Sequence, residues 1–365
     1  MLSSSSPSML SIAALIVLQG RFESTNVDLH KKYGPIVRLA PNRYSIADPS
    51  CVRAIYGIGS KFSKSDYYHP FGNPDTSHKD IFSERSNEVH SANRRKQANM
   101  YSMTSLKNYE PFVDRVNSTF FGKLKEFSET GQSFDLFTWM QFYAFDVIGE
   151  ITIGRTFGML EAGNDKDGLL DAVDFVNAKY GARLGHLPEL HVPFLWLAQT
   201  LKLATGLESV TKAVEEQIAL RKSGESVSDR ADFLGKSLDL IEREKLDRFD
   251  LFNVVATNIG AGSDTTAISA TAIIYYLMKN PKCMRKLRKE LDDHVVAGEL
   301  SETATFQEGQ RLEYLQAVIK EALRLHPAVG MPLARVVPPG GATLAGQFFP
   351  ENVRRTTCSL APDIN

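Results

Sequence analysis

Gly260-Ala261-Gly262-Ser263-Asp264-Thr265-Thr266 lies near the middle of an apolar run from Leu251 to Met278, and Asp264 is the only formal charge in that run. Such a segment predicts a long helix. In helical phase Ala261 and Thr265 stand one turn apart on one face, with Asp264 beside them and Ile268 a turn further on. Small residues there leave a shallow groove in place of a packed ridge. The Thr265 hydroxyl can bond back to the carbonyl of Ala261, which in a glycine-weakened helix predicts a bend and a loosened ladder at the acid. A hydroxyl and an acid in an apolar wall suit proton delivery to something small held against the helix. The same string also reads as a buried core helix with one capped polar residue. A membrane span is a third reading, since about 20 apolar residues cross a bilayer. Asp264, Asn253, Asn258 and the threonines speak against it.

The 365 residues are 43% hydrophobic, enough to bury a substantial core in one large domain or two ordinary ones. Lysine and arginine (42) nearly balance aspartate and glutamate (43), so no global field points to nucleic acid or to an acidic substrate. Cys51, Cys283 and Cys358 are odd in number and far apart, with neither a disulfide framework nor metal-ligand spacing, which fits a reducing compartment. Met9 to Leu18 is apolar but too short to span, and it lacks the basic flank and cleavage site of a leader.

Working outward, Gly34-Pro35-Ile36-Val37-Arg38-Leu39-Ala40 and Tyr44-Ser45-Ile46-Ala47-Asp48 around Pro41-Asn42-Arg43 predict a hairpin, after which Asp48-Pro49-Ser50 starts a helix running to about Tyr56. Lys61 to Glu84 has no clear period and reads as a long loop of the kind that covers a site. From Ser86 a helix begins on which His90 and Arg94 are one turn apart. Two donors so placed can hold an anionic group, or form an ordinary solvated basic face. Helices are expected at about 109–128, 136–154, 168–183 and 207–221, with a break at Pro188 to Pro193 and a polar linker from Ser223 to Asp232. Asn280 and Pro281 read as the N-cap and first position of a charged helix to Val295. A helix from Leu312 stops at Pro327, and within it Glu321 and Arg324 face each other. That pair signals little unless it is buried.

H-x-x-x-R at His90 to Arg94, A-G-x-D-T-T at Ala261 to Thr266 and K-E-A-L-R-L-H-P at Lys320 to Pro327 stand in one order behind the G-P-I-V-R-L-A-P-N-R hairpin. Together they resemble the cytochrome P450 family, particularly fungal members of the pisatin-demethylase and benzoate-hydroxylase kind, over about His30 to Glu351. The resemblance implies a mainly α fold with small β-sheets and a haem cofactor. It implies that Ala261 and Thr265 border the dioxygen site, that Asp264 relays protons, and that His90, Arg94 and Arg335 meet the haem propionates. Glu321 and Arg324 would form a buried structural pair. Ile259, Ile268 and Val329 would line an apolar substrate pocket. A lipophilic small-molecule substrate, an NADPH-cytochrome P450 reductase partner, a fungal secondary-metabolite pathway and an endoplasmic reticulum membrane location follow as expectations of the same kind.

One family element has no counterpart. The F-x-x-G-x-R-x-C-x-G loop that supplies the iron's thiolate does not occur, and Cys358, with Arg354 and Arg355 near it and no glycine around it, is a poor substitute. The expected organisation is an N-terminal segment (1–29) resembling an anchor remnant, a partial P450 domain (30–351) and an unrelated tail (352–365), a domain clipped at both ends and without monooxygenase activity as it stands. Two alternatives remain open: an inactive remnant that still binds a hydrophobic ligand, and a helical membrane or scaffold protein.

Overall fold

In the computed structural model, residues 20–72, 79–200, 207–223, 232–330 and 333–358 are described. The chain runs α1 (Phe22–Tyr33), β1 (Ile36–Ala40), β2 (Arg43–Ile46), α2 (Ser50–Tyr56), β3 (Ser63–Lys64), a 3-10 helix (Asp66–Phe71), α3 (Asn87–Gln97), α4 (Met103–Lys107), α5 (Glu110–Thr130) and α6 (Leu136–Ile153). It continues through α7 (Met159–Ala162), α8 (Leu169–Asp174), a π-helical turn (Phe175–Gly181), α9 (Ala182–Leu184), α10 (His191–Thr200), α11 (Leu207–Lys222), α12 (Phe233–Glu242) and α13 (Arg248–Lys279). It closes with α14 (Pro281–Val296), α15 (Phe306–Arg311), α16 (Glu313–Leu325), β4 (Arg335–Val336), β5 (Ala342–Leu344), β6 (Gln347–Phe349) and β7 (Arg354–Cys358). The fold is mainly α with small sheets, as the sequence led one to expect. It divides into two compact units, one of residues 1–95, 174–205 and 329–365, the other of residues 96–173 and 206–328.

The first unit carries the strands. The hairpin forms where predicted, with Ala40 paired to Arg43 across Pro41-Asn42, and His30 of α1 fixes its approach. The His30 Nδ1–H donates to the Gly34 carbonyl (2.8 Å) while Nε2 accepts from the Ser45 hydroxyl (2.8 Å), so this buried imidazole is fully bonded. The five-stranded sheet has the order β1-β2-β7-β4-β3, and β5 with β6 makes a separate hairpin. Ile46, Cys51, Ile55, Phe62, Val337, Leu344, Phe349 and Val353 form the apolar cluster of this unit. Three expectations change here. Residues 354–358, read as part of an unrelated tail, are hydrogen-bonded into the sheet between β2 and β4. The long loop contains β3 and the 3-10 helix, whose Ser65 cap accepts from the Tyr67 amide. Helix α1 was not foreseen, because its apolar residues are too few to show a period. The apolar segment Met9 to Leu18, residues 224–231 of the polar linker, and residues 73–78 of the loop lie outside the described residues.

The second unit is built on α6 and α13. Phe145, Ile153, Val255, Leu251, Ile259 and Ala267 are almost fully buried in its cluster, joined by Val214 of α11 and Leu234 of α12. The polar groups this buries have partners. Asp146 accepts from the amides of Leu160 (2.9 Å) and Met159 (3.3 Å) at the start of α7, and burial pushes its pKa up against those bonds. Arg221 and Asp232 form a buried ion pair in which Asp232 also caps α12 through the Gly235 amide. α13 starts on an Asp247–Asp250 capping box and runs unbroken to Lys279. Pro281 opens α14 as read, but the Asn280 side chain makes no cap bond; its Nδ2 donates back to the Tyr276 carbonyl (2.8 Å).

Two glycines set how tightly this unit packs. A Cβ on Gly149 of α6 would stand 2.7 Å from the Arg155 carbonyl oxygen and 2.9 Å from the Phe157 ring. On Gly262 of α13 it would meet only the flexible end of Ile148. Gly149→Ala should therefore cost about 1–3 kcal/mol of stability, since backbone cannot yield cheaply. Gly122→Ala on α5, where an added methyl meets nothing within 4 Å, should gain up to about 1 kcal/mol. Urea unfolding of the two variants beside the parent checks both signs.

Candidate functional site

In the first unit, β3 and β4 pair antiparallel with Lys64 directly opposite Arg335. Like charges so placed repel, and the sheet alone gives no reason for them. Both side chains gather on Tyr68, which is buried, with Lys64 Nζ 5.5 Å and Arg335 Cζ 5.3 Å from its ring centre. Arg335 also lies 5.1 Å over the Tyr56 ring and donates to the Tyr68 hydroxyl. Lys64 donates to the carbonyls of Ile81 (2.6 Å) and Phe82 (2.8 Å), which tether it without neutralising it.

α3 adds His90, half-buried, and Arg94, exposed. Neither side chain makes a hydrogen bond or ion pair among the described residues. Burial, then the charges of Lys64, Arg94 and Arg335, push the His90 pKa down. Burial, then Arg335, lowers Lys64 to about 8, against the opposing pull of Asp80 and Glu84. Both acids are otherwise engaged: Asp80 accepts from the amides of Phe82 and Ser83 and from the Ser83 hydroxyl, and Glu84 from the Ser86 amide. The result is a cradle of surplus positive charge that suits an anionic ligand. Arg94, His90 and Arg335 were legible beforehand. Lys64 and Tyr68 were not, because only the strand register reveals them.

In the second unit, the Thr265 hydroxyl donates to the Ala261 carbonyl (2.8 Å), as the sequence implied. The predicted opening does not follow, since the α-helix is continuous through Gly260 to Thr266. Ser263 and Ser269 bond back to Ile259 and Thr265 in the same way, so hydroxyl back-bonding here supplements the ladder. Ala261 is exposed and Thr257 with it, while Asp264, Thr265 and Ile268 are half-buried. They form the accessible face of α13. Gln141 of α6 donates its amide to Asp264 Oδ1 (3.2 Å), a partner not seen in the sequence. On the adjoining edge, Asn258 accepts from the Tyr101 hydroxyl (2.8 Å), whose pKa burial pushes up to about 12.

Two expectations are corrected. Ile259, assigned to the pocket wall, is 1% exposed and belongs to the core. At about 100° per residue it stands nearly opposite Ala261 on the helix. Glu321 and Arg324 do pair, with Arg324 Nε and Nη2 on the two carboxylate oxygens (2.8 and 2.7 Å), but their side chains are 56% and 41% exposed. At that exposure the pair is a solvated one. The Arg324 bond holds the Glu321 carboxyl below its ordinary range. Val329 is exposed in the first unit. Cys51 is walled into the apolar cluster of the first unit, and Cys283 is exposed beside Tyr314 in the second. The side chain of Cys358 lies outside the description; its backbone pairs with Ile46.

With this geometry in place, comparison with known proteins is informative. The family model described as Cytochrome P450 matches residues 5–360, wider at both ends than the motifs alone indicate. A pisatin demethylase of Fusarium vanettenii is 40% identical over 339 residues, covering 91% of this chain and 64% of its own length. A cytochrome P450 monooxygenase of Aspergillus terreus is 34% identical over 351 residues, covering 92% and 70%. One of Penicillium aethiopicum is 33% identical over 346 residues, covering 92% and 69%. The chain thus spans about two-thirds of the length of these relatives, 64% in the first case.

The contrast between exposed and buried ion pairs gives a stability test. Glu321→Ala should leave the unfolding midpoint of the chain unchanged within error, because its pair is solvated. Asp232→Ala should cost about 3–5 kcal/mol by stranding Arg221 in the core. Thermal and urea unfolding followed by circular dichroism distinguish the two.

Proposed function

The chain belongs to the cytochrome P450 family, and we propose that it serves that family's reaction, haem-dependent insertion of one oxygen atom of dioxygen into a lipophilic small molecule. The observation that carries this reading is the cradle of Lys64, His90, Arg94 and Arg335, a cationic group with no equal opposing charge. Its donors suit the two propionates of a haem. Taken by itself, the small-residue face of α13 suits an apolar ligand. When bound, haem supplies the activation of dioxygen at its iron.

The chain's own residues would then act as follows. Arg94 and Arg335 hold carboxylates by charge-assisted bonds, the planar fork of each favouring that partner. Ala261 leaves room on the helix for a diatomic molecule. Thr265 can turn its hydroxyl proton from the Ala261 carbonyl toward a small acceptor on the exposed face, and Asp264, held by Gln141, can renew that proton. Ile268, half-buried on α13, supplies apolar surface for substrate. The Fusarium relatives, pisatin demethylases, bring oxidative demethylation into consideration as the outcome. Electrons would come from a reductase of the NADPH-dependent kind, and fungal secondary metabolism is the setting that the relatives suggest. An endoplasmic reticulum location would need an anchor, and among the described residues no helix is long and apolar enough to cross a membrane. That finding also counts against α13 as a span, and with it against a membrane scaffold. No cysteine here is assigned as the iron's thiolate, so the carbon monoxide spectrum of the haem-loaded chain is the deciding experiment. A thiolate-type band supports monooxygenase chemistry by this chain, and its absence leaves ligand binding alone.

Removing one cation that has no partner among the described residues isolates the cradle. Arg94→Ala should leave stability unchanged and weaken haemin binding by roughly tenfold or more, the worth of a charge-assisted hydrogen bond. Absorbance titration with haemin checks it. In a catalytically competent form of the protein, Thr265→Ala should raise the peroxide released per oxygen consumed, measured with an oxygen electrode and a peroxide assay. Unchanged coupling would remove Thr265 from the proton path.

A further inference from the structure

Arg94 and Arg335 keep their charge at any ordinary pH, whereas Lys64 need not. Its ammonium is partly withdrawn from water, faces Arg335 across the β3–β4 pair and shares the Tyr68 ring with it. The groups that face Lys64 are Arg335 from β4, His90 and Arg94 from α3, Asp80 and Glu84 from the 79–84 segment, and the Tyr68 hydroxyl from the 3-10 helix. Asp80 and Glu84 lend it only partial support, being bonded to neighbouring amides. An arriving dianion would change this balance more at Lys64 than at any other member of the cradle.

We propose that Lys64 is the proton-linked member of the cradle: a porphyrin dicarboxylate binds with Lys64 as an ammonium, so that binding takes up a proton and weakens as the pH rises from 7 to 9. The inference rests on the haem reading above. In the free chain Lys64 titrates at about 8. A bound anion favours the charged form and moves the titration up toward the ordinary lysine value of 10.5. The sign follows by linkage. Below pH 7 the ammonium is present in both states and Lys64 contributes no pH dependence. Between the free and bound values the free chain must first regain a proton, and affinity falls up to about tenfold per pH unit. In the free chain His90 titrates below its ordinary value and Tyr68 above its own, which leaves Lys64 as the cradle member that changes charge there across this window.

The test uses the full chain and iron-free protoporphyrin IX, which removes any titration of an iron ligand. Its fluorescence gives the dissociation constant at intervals from pH 7 to 9 for the parent, Lys64→Met and Lys64→Arg. The parent should lose roughly tenfold in affinity across the window. Lys64→Arg should keep the pH 7 affinity and show a flat profile, and Lys64→Met should be weaker at pH 7 and equally flat. Calorimetry at pH 8.5 in buffers of different ionisation heat should show net proton uptake by the parent alone. A parent profile that parallels that of Lys64→Met would overturn the role of Lys64 while leaving the haem reading intact. Failure of the parent and Lys64→Arg to bind the porphyrin at pH 7 would overturn both.

Discussion

The close approach of α6 and α13 is the constraint on which the second unit depends. Gly149 has no room for a side chain because its own chain turns back over it at Arg155 and Phe157. That turn presents the amides of Met159 and Leu160 to Asp146, so one tight contact also satisfies a buried carboxylate. With Ile259, Val255 and Ala267 committed to the interior, helical geometry leaves Thr257, Ala261, Asp264 and Ile268 on the opposite side. The reactive face of α13 is thus a consequence of how its other face packs. Gln141 extends the same logic, since the helix that buries one side of α13 also supplies the amide that holds Asp264.

The first unit rests on a different balance. Placing Lys64 opposite Arg335 opposes the pairing of β3 with β4, each a strand of two residues. Cation–π contact with Tyr68 and the carbonyls of Ile81 and Phe82 offset part of that repulsion. What they do not remove is net charge. A site that is electrostatically uncomfortable on its own gains most from an anion, which is how a binding preference can be built into a fold without a preformed ion pair.

Local pattern carried much of this. The Gly34 to Asp48 hairpin, α3, α5, α6, α13 and α16 were all legible, because each has a period or a turn signal within its own residues. The misses share a different cause. Lys64 sits in a stretch with no period, and its partner Arg335 comes from the far end of the chain. Burial of Glu321 and Arg324 depends on what covers α16, which no local pattern encodes. Ile259 was assigned to the pocket wall by family resemblance, whereas helical phase turns it away from Ala261 into the core. The bend expected at Thr265 overlooked Ser263 and Ser269, whose bonds repeat the same device along the helix.

Those repeated bonds also bear on why one hydroxyl differs from the others. Ser263 is fully buried, and giving up its bond to Ile259 would strand an oxygen in the core. Thr265 makes the same bond to Ala261, whose own position is exposed, so solvent or a small ligand can replace that acceptor at little cost. The difference between a structural and an exchangeable hydroxyl is therefore set by rotation about the helix axis, two residues apart in sequence. A β-branched threonine with few rotamers at this point confines the hydroxyl to a small number of directions. The same proton that closes the helix bond is then available on the open face.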